Sequence, residues 1–246
     1  MVIMKQIQIT LTPPESKRII AMGVKRLPVI QNALENGRIL ITLGTTNSYV
    51  AEELTGKKID HSRYAAGYIG ETAAVVPNDK RLPAIALKKG KEVSADNILN
   101  EMTSEDVVIK GANALDPDGV AGVMMANPVG GTTGLIIGTV MAKGINLVIP
   151  VGLEKSIPYS VTEISRRIGI QRCSKATGLP VGMMPLFGEV ITEVEALMLL
   201  GAENVFAIGS GGINGGEGSI VLCAEGENVD EIFDLVQKVK EKKGEL

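Results

Sequence analysis

Hydrophobic and polar positions along the chain switch between two periods. Residues 6–11 (Gln-Ile-Gln-Ile-Thr-Leu) alternate, the mark of a strand with one buried face. Pro13 and Pro14 stop that alternation and suit a first helical turn. Ile19, Ile20, Val24, Leu27, Ile30 and Leu34 then keep helical spacing until Gly37 ends the pattern. An apolar run at 38–43 predicts a strand, followed by a small-residue turn and a helical segment at 49–54. Between 57 and 89 the pattern is broken: 64–69 and 84–87 read as strands, with turns at Pro77, Asn78, Asp79 and Pro83. Ser94 is positioned to cap a short helix through Met102. Beyond it, 106–110 reads as a buried strand, 134–143 as a helix ended by Gly144, and 145–151 as another apolar strand.

Continuous apolar strands alternating with helices predict an α/β fold: a doubly wound, mainly parallel, Rossmann-like sheet covered on both faces, with its ligand loops at the carboxyl ends of the strands. Near 178–185 the composition shifts to Gly, Pro and Met. Beyond it the pattern is βαββα: a strand ending at Val190 and Ile191, a helix over 192–200, strands at 204–208 and 219–224, and a helix over 229–240. This order predicts a second, smaller ferredoxin-like α+β domain that lacks one strand. The alternating segment 6–11 is available to supply it. The expected division is therefore a Rossmann-like ligand-binding domain over 12–180 and a small domain over 181–246, completed by strand 6–11. The basic end, 238–243, reads as a solvated helix terminus whose cations suit the dipole.

Composition removes several classes of function. Lys and Arg number 25 against 28 Asp and Glu, a net charge of −3, so there is no basic field to hold a phosphate backbone. Aromatic residues are 3% with no Trp, which removes stacking platforms for single-stranded nucleic acid. Cys173 and Cys223 lie far apart and His61 is the only histidine, which argues against a zinc site or a disulfide framework. The two cysteines read as ordinary buried thiols and His61 as an exposed loop residue. No metal and no cofactor is implied. The N-terminus lacks the apolar core of a signal peptide. The charge-free stretch 119–142 is interrupted by Asn127, Pro128, Gly130, Gly131, Thr132, Thr133 and Gly134, so it reads as a core element broken by a loop rather than a membrane span. The expectation is a cytoplasmic protein without nucleic-acid or membrane partners, and with a homo-oligomer left open.

Three segments can carry chemistry. Gly44, Thr45, Thr46, Asn47 and Ser48 stand between a buried strand and a helix, where free amides, the helix dipole and hydroxyl donors make an anion cradle; the competing reading is a simple helix cap. Gly130, Gly131, Thr132 and Thr133 lead into another helix, with the same two readings. At the end of the 106–110 strand, Lys110, Asn113 and Asp116 are weak candidates for catalytic groups, Asp116 doubling as a turn residue before Pro117. Lys155, beside Glu154 after the 145–151 strand, faces the same crevice. The glycine-rich loop 209–218 reads as a long hairpin connection, with a lid or anion nest as its functional alternative.

In order, Gly44-Thr45-Thr46-Asn47, Gly111-Ala112-Asn113-Ala114-Leu115-Asp116, Gly130-Gly131 and Leu153-Glu154-Lys155 resemble the superfamily of ribose 5-phosphate isomerase type A, glucosamine 6-phosphate deaminase and the coenzyme A transferases, over residues 38 to 155. The resemblance implies a phosphate-holding role for Thr45, Thr46 and Asn47. The later motifs depart from the isomerase pattern. Lys110, Asn113 and Ala114 stand where the isomerases have acidic residues, Val129 stands in place of a lysine before Gly130-Gly131, and no acid lies between Asp118 and Glu154 to serve as the base.

The expected function is thus binding of a small phosphorylated or carboxylated metabolite at strand-end loops, without ribose 5-phosphate isomerase activity. The alternative is a non-catalytic metabolite sensor or assembly subunit built on the same fold.

Overall fold

The computed structural model describes residues 4–241, so the last residues of the basic end and of the expected 181–246 unit lie outside the described part. The protein is mixed α/β. In chain order the elements are β1 (Gln6–Leu11), α1 (Pro13–Arg26), α2 (Pro28–Glu35), β2 (Arg38–Ile41), α3 (Thr45–Thr55), β3 (Gly67–Ile69), β4 (Ala73–Val75), β5 (Ile85–Lys88), β6 (Lys91–Val93), α4 (Ile98–Glu101) and β7 (Val107–Ile109). There follow β8 (Ala114–Leu115), β9 (Ala121–Met125), α5 (Gly131–Lys143), β10 (Asn146–Pro150), α6 (Val161–Arg167), β11 (Gly182–Leu186), β12 (Glu189–Ile191), α7 (Glu193–Leu199), β13 (Asn204–Gly211), β14 (Ser219–Glu225) and α8 (Val229–Glu241).

The central sheet has six strands in the order β12-β10-β7-β2-β5-β6. Its first four are mutually parallel, with Ile39, Leu40 and Ile41 beside Val107, Val108 and Ile109, whereas β5 and β6 fold back as an antiparallel hairpin. Alternate residues go to opposite faces, and both faces are dry, as the unbroken apolar runs require. Ile39, Ile41, Val107, Ile109, Val148 and Ile191 enter one core with α1, α2 and α3. Leu40, Val108, Leu147 and Ile149 enter a second core with Ile98, Met102, and Ile136 and Val140 of α5. The charge-free stretch splits into β9, a loop and α5, and among the described residues no helix is long and apolar enough to cross a membrane.

β1 pairs antiparallel with β14, from Gln6 opposite Glu225 to Leu11 opposite Ile220, so the N-terminal strand does reach the C-terminal sheet. That sheet has three strands, β1-β14-β13, because β12 lies elsewhere, parallel to β10 at the edge of the central sheet. The βαββα segment therefore straddles two sheets. A short apolar strand can join any open edge, and Val148, Ile149 and Pro150 of β10 offer a parallel one directly opposite it. Nor does the hydrophobic core divide near 181. Ile9, Leu11, Leu222, Val236 and Val239 share one cluster with Ile39, Ile41 and Ile109. α1 mediates: an added Cβ on its Gly23 would fall 2.5 Å from the Ala196 Cα of α7, and Glu15 takes a hydrogen bond from Lys240 of α8 at 2.9 Å.

Several local expectations change. The helix expected over 49–54 begins at Thr45, and the one expected over 134–143 begins at Gly131. The helical pattern from Pro13 to Gly37 is two helices, because Pro28 forces Leu27 out of the helical region (φ −57°, ψ 131°) and restarts the helix at its own first position. The helix expected over 94–102 is one turn, 98–101. Ser94 Oγ instead accepts from the Asp96 amide at 3.1 Å, and Asn97 holds a left-handed conformation ahead of the turn.

Candidate functional site

All four parallel strands release their chains at the same edge of the sheet, and their polar residues meet there. After β2, the Thr42 hydroxyl donates to the Ile109 carbonyl at 3.0 Å. The Asn47 amide, in the first turn of α3, donates to the carbonyls of Thr42 (2.9 Å) and Ile109 (3.2 Å), clasping the ends of β2 and β7. Its orientation follows from those oxygens, and it leaves Oδ1 buried, without a hydrogen-bond partner, against Gly111. Gly44 is held by its amide to the Tyr64 carbonyl, and the Tyr64 hydroxyl ties Ile41 to Ile85.

Lysines close the space above. Lys110, at the end of β7, is 8% exposed, and its ammonium bonds only to the carbonyl of the adjacent Gly111 at 3.1 Å among the described residues. Lys155 stands in the turn after β10, its ammonium 3.5 Å from Thr46 Oγ1 and 4.0 Å from the Glu154 carboxylate. Burial, helped by the like charge of Lys155, brings the Lys110 ammonium down to about 8. Lys155 is also lowered, by burial first, against the pull of Glu154. Lys17 of α1 approaches from the side and is lowered by burial, again opposed by Glu154.

Two carboxylates share the cluster. Glu193, the first residue of α7 after β12, accepts the Leu153 amide at 2.9 Å through one oxygen, while the other has no partner; burial pushes its carboxyl up. Glu154 is folded so tightly that an added Cβ on Gly152 would lie 1.8 Å from its Oε2, which is also buried and unpartnered. The Ser16 hydroxyl is a further buried group outside hydrogen-bond geometry, although it faces the Glu193 carboxyl and favours its charged form. Buried polar atoms are normally satisfied. Of the five unpartnered side-chain atoms among the described residues, four belong to Ser16, Asn47, Glu154 and Glu193 around these lysines.

The remaining candidates sit differently. Asp116 accepts the amides of Asp118 (3.0 Å), Val120 (2.8 Å) and Val161 (2.9 Å), pinning the β8–β9 turn to the start of α6. Asn113 accepts the Met124 amide at 3.0 Å. Gly130 and Gly131 have left-handed backbones (φ 80° and 55°), and an added Cβ on Gly134 would fall 2.1 Å from the Val129 carbonyl, so this glycine cluster is required by its own turn. Thr133 is buried and Thr132 exposed, and among the described residues no side-chain hydrogen bond joins this turn to Lys110 or Lys155. The loop between β13 and β14 does reach the cluster: an added Cβ on Gly218 would sit 3.5 Å from the Glu154 Cβ.

His61 lies in a loop, as expected, but is half-buried rather than exposed. Its ring stacks on Tyr49 at 4.0 Å and its Nδ1 bonds Ser48 Oγ at 2.8 Å, with Glu52 3.7 Å from Nε2. This Ser-His-Glu order is no nucleophile relay, because the Ser48 hydroxyl donates its proton to the Thr45 carbonyl (2.7 Å) and is fully buried. Cys173 is exposed rather than buried, and Cys223 is buried.

Sequence patterns place Thr46, Asn47, Lys110 and Lys155 at this edge and miss Ser16, Lys17 and Glu193. Glu193 becomes visible with the true position of β12, for the same strand-to-helix junction rule identifies it once β12 joins the central sheet. Lys17 and Ser16 look like ordinary positions of an amphipathic helix, and no local signal marks them. Set against known proteins, the chain matches no family model, no curated protein and no solved structure.

Proposed function

We propose that the protein binds a small phosphorylated or carboxylated metabolite at the carboxyl edge of the central sheet, held by Lys110 and Lys155 with Thr46 and, at the margin, Lys17. The observation that carries this reading is a buried ammonium, Lys110, with no carboxylate within 4.0 Å among the described residues, beside a part-buried one, Lys155, whose single carboxylate neighbour, Glu154, stands at 4.0 Å. Burying such charge is costly, and an anion offsets the cost where the fold does not. Unpartnered oxygens of Asn47, Glu154 and Glu193 suit hydroxyl or amino donors on the same ligand. On this reading the central sheet is Rossmann-like in the sense that matters for function, with ligand loops beyond its parallel strands. The resemblance to the isomerase and coenzyme A transferase superfamily then extends to an anion loop at 44–48 and not to the isomerase acids.

Isothermal titration with inorganic phosphate and with citrate, at fixed ionic strength, tests the reading. Saturation at one hundred times Kd adds about 3 kcal/mol of stability, and Lys155→Met is expected to weaken binding at least about tenfold, the loss of one charge-assisted contact. Because the anion favours the protonated Lys110, affinity falls as pH rises through about 8. The absence of binding by either anion, or an equal response to chloride, overturns the proposal.

A further inference from the structure

We infer that Lys110 is an amine nucleophile that forms an imine with an aldehyde or ketone whose anionic group is held beside Lys155, so that the ligand of this site is a carbonyl compound. The inference rests on the anion-binding reading and adds a reaction to it. A lysine that serves only as a counter-ion is free to sit at the surface. Lys110 is instead buried, 8% exposed, at the end of a central parallel strand, and among the described residues it bonds only to the carbonyl of its own neighbour, a bond that secures no other element. The charge that acts on it is another cation, Lys155, whose own carboxylate neighbour, Glu154, stands no closer than 4.0 Å. Desolvation beside a second cation is the arrangement that makes a lysine nucleophilic near neutrality. With an ammonium brought down to about 8, roughly a tenth to a quarter of Lys110 is the free amine between pH 7 and 7.5.

The step balances without any further reactant. The amine lone pair attacks the carbonyl carbon, and the carbonyl electron pair moves to oxygen, which takes up a proton. The carbinolamine then loses its hydroxyl with one proton from nitrogen as water, leaving the C=N bond. Glu193, whose carboxyl burial pushes up, belongs to the same cluster as a group able to exchange a proton, and Asn47 Oδ1 is an acceptor for the carbinolamine hydroxyl.

The test incubates the full chain with pyruvate, with glyceraldehyde 3-phosphate and with acetaldehyde, each with cyanoborohydride, and maps the reduced adducts by mass spectrometry. The expected result is one adduct, on Lys110, formed at least tenfold faster with the two anionic carbonyls than with acetaldehyde and suppressed by inorganic phosphate. Lys110→Arg keeps the charge and Lys110→Met keeps the volume; both abolish the adduct. Adducts scattered over surface lysines at similar rates for all three probes overturn the inference. Phosphate binding by titration separates the two readings. Binding without a Lys110 adduct removes the imine and leaves the anion site, whereas loss of both removes both.

Discussion

Two clusters of loops with almost the same vocabulary of Gly, Thr, Asn, Asp and Lys lie on this fold, and they differ in what their polar atoms are occupied with. In the cluster around Asn113, Asp116 and Gly130, the side-chain acceptors are consumed by the backbone: Asp116 holds three amides and Asn113 one. Around Lys110 and Lys155 the backbone is already satisfied by strand ends and by Asn47, and side chains remain over, buried and unpaired. Polar composition alone does not separate a ligand site from a well-tied turn. The remaining hydrogen-bonding capacity does. The first cluster stabilises the fold, while the second costs stability, the pattern that the proposed ligand site would leave.

Removing the key polar group from each cluster puts the contrast under the greatest strain. Asp116→Ala strips three charge-assisted bonds, one of them from the buried Val161 amide, and is expected to cost about 3 kcal/mol, read as a shift in the urea midpoint. Phosphate affinity, measured on the folded variant, should stay within about twofold. An Asp116→Ala protein of unchanged stability would place Asp116 in the functional cluster after all.

Lys110→Met should move stability in the opposite direction. The folded-state value of about 8 lies below the ordinary 10.5, so the unfolded chain binds the proton more tightly. Stability contributed by Lys110 is therefore present above about 10.5 and lost as pH falls through about 8. The gap corresponds to ~3 kcal/mol of penalty at pH 7. Lys110→Met, which removes the buried charge, is expected to recover about 2 to 3 kcal/mol at pH 7. The wild-type and variant curves should converge toward pH 11, and variant stability equal to wild type at both pH values would mean that the ammonium is better solvated than its burial implies.

How much of this was legible in the sequence divides along the same line. Elements whose residues are dictated locally read correctly: β1 by alternation, β2, β7 and β10 by apolar runs, and the end of α5 by Gly144. Partner choice is a tertiary property. The three-residue β12 carries no mark of which sheet will take it, and α1 carries none of its contact with the strand ends at Ser16 and Lys17. The same division separates the candidate residues. That Lys110 and Lys155 face one edge follows from the parallel strands that end beside them, whereas the engagement of Asp116 with Val161, 45 positions later, can be seen only once α6 is in place.

Asn113→Ala tests the first cluster at lower amplitude. It removes a single bond, that from the Met124 amide, and is expected to cost about 1 kcal/mol without altering anion binding. A loss of phosphate affinity larger than tenfold would move Asn113 into the ligand site.

The smallest effect concerns His61, which packs on Ser48 and Tyr49 of α3. Burial lowers its imidazolium, Glu52 and Asp60 oppose that, and the charges of Arg18 and Lys17 reinforce it, so the net displacement is downward from the ordinary 6.5. The unfolded chain then takes up the proton first as pH falls. The contribution of His61 to stability is therefore present above 6.5 and is lost on acidification through the lower folded value. His61→Phe keeps the stack on Tyr49 but not the proton, and gives up the bond to Ser48. Compared with wild type, it should show a constant offset at pH 7 to 8 and a shrinking one between pH 6.5 and 5, because only the wild type is penalised there. An imidazole titration followed by NMR with its midpoint above 6.5 would reverse the sign, and would mean that the Glu52 carboxylate, and not burial, governs this ring.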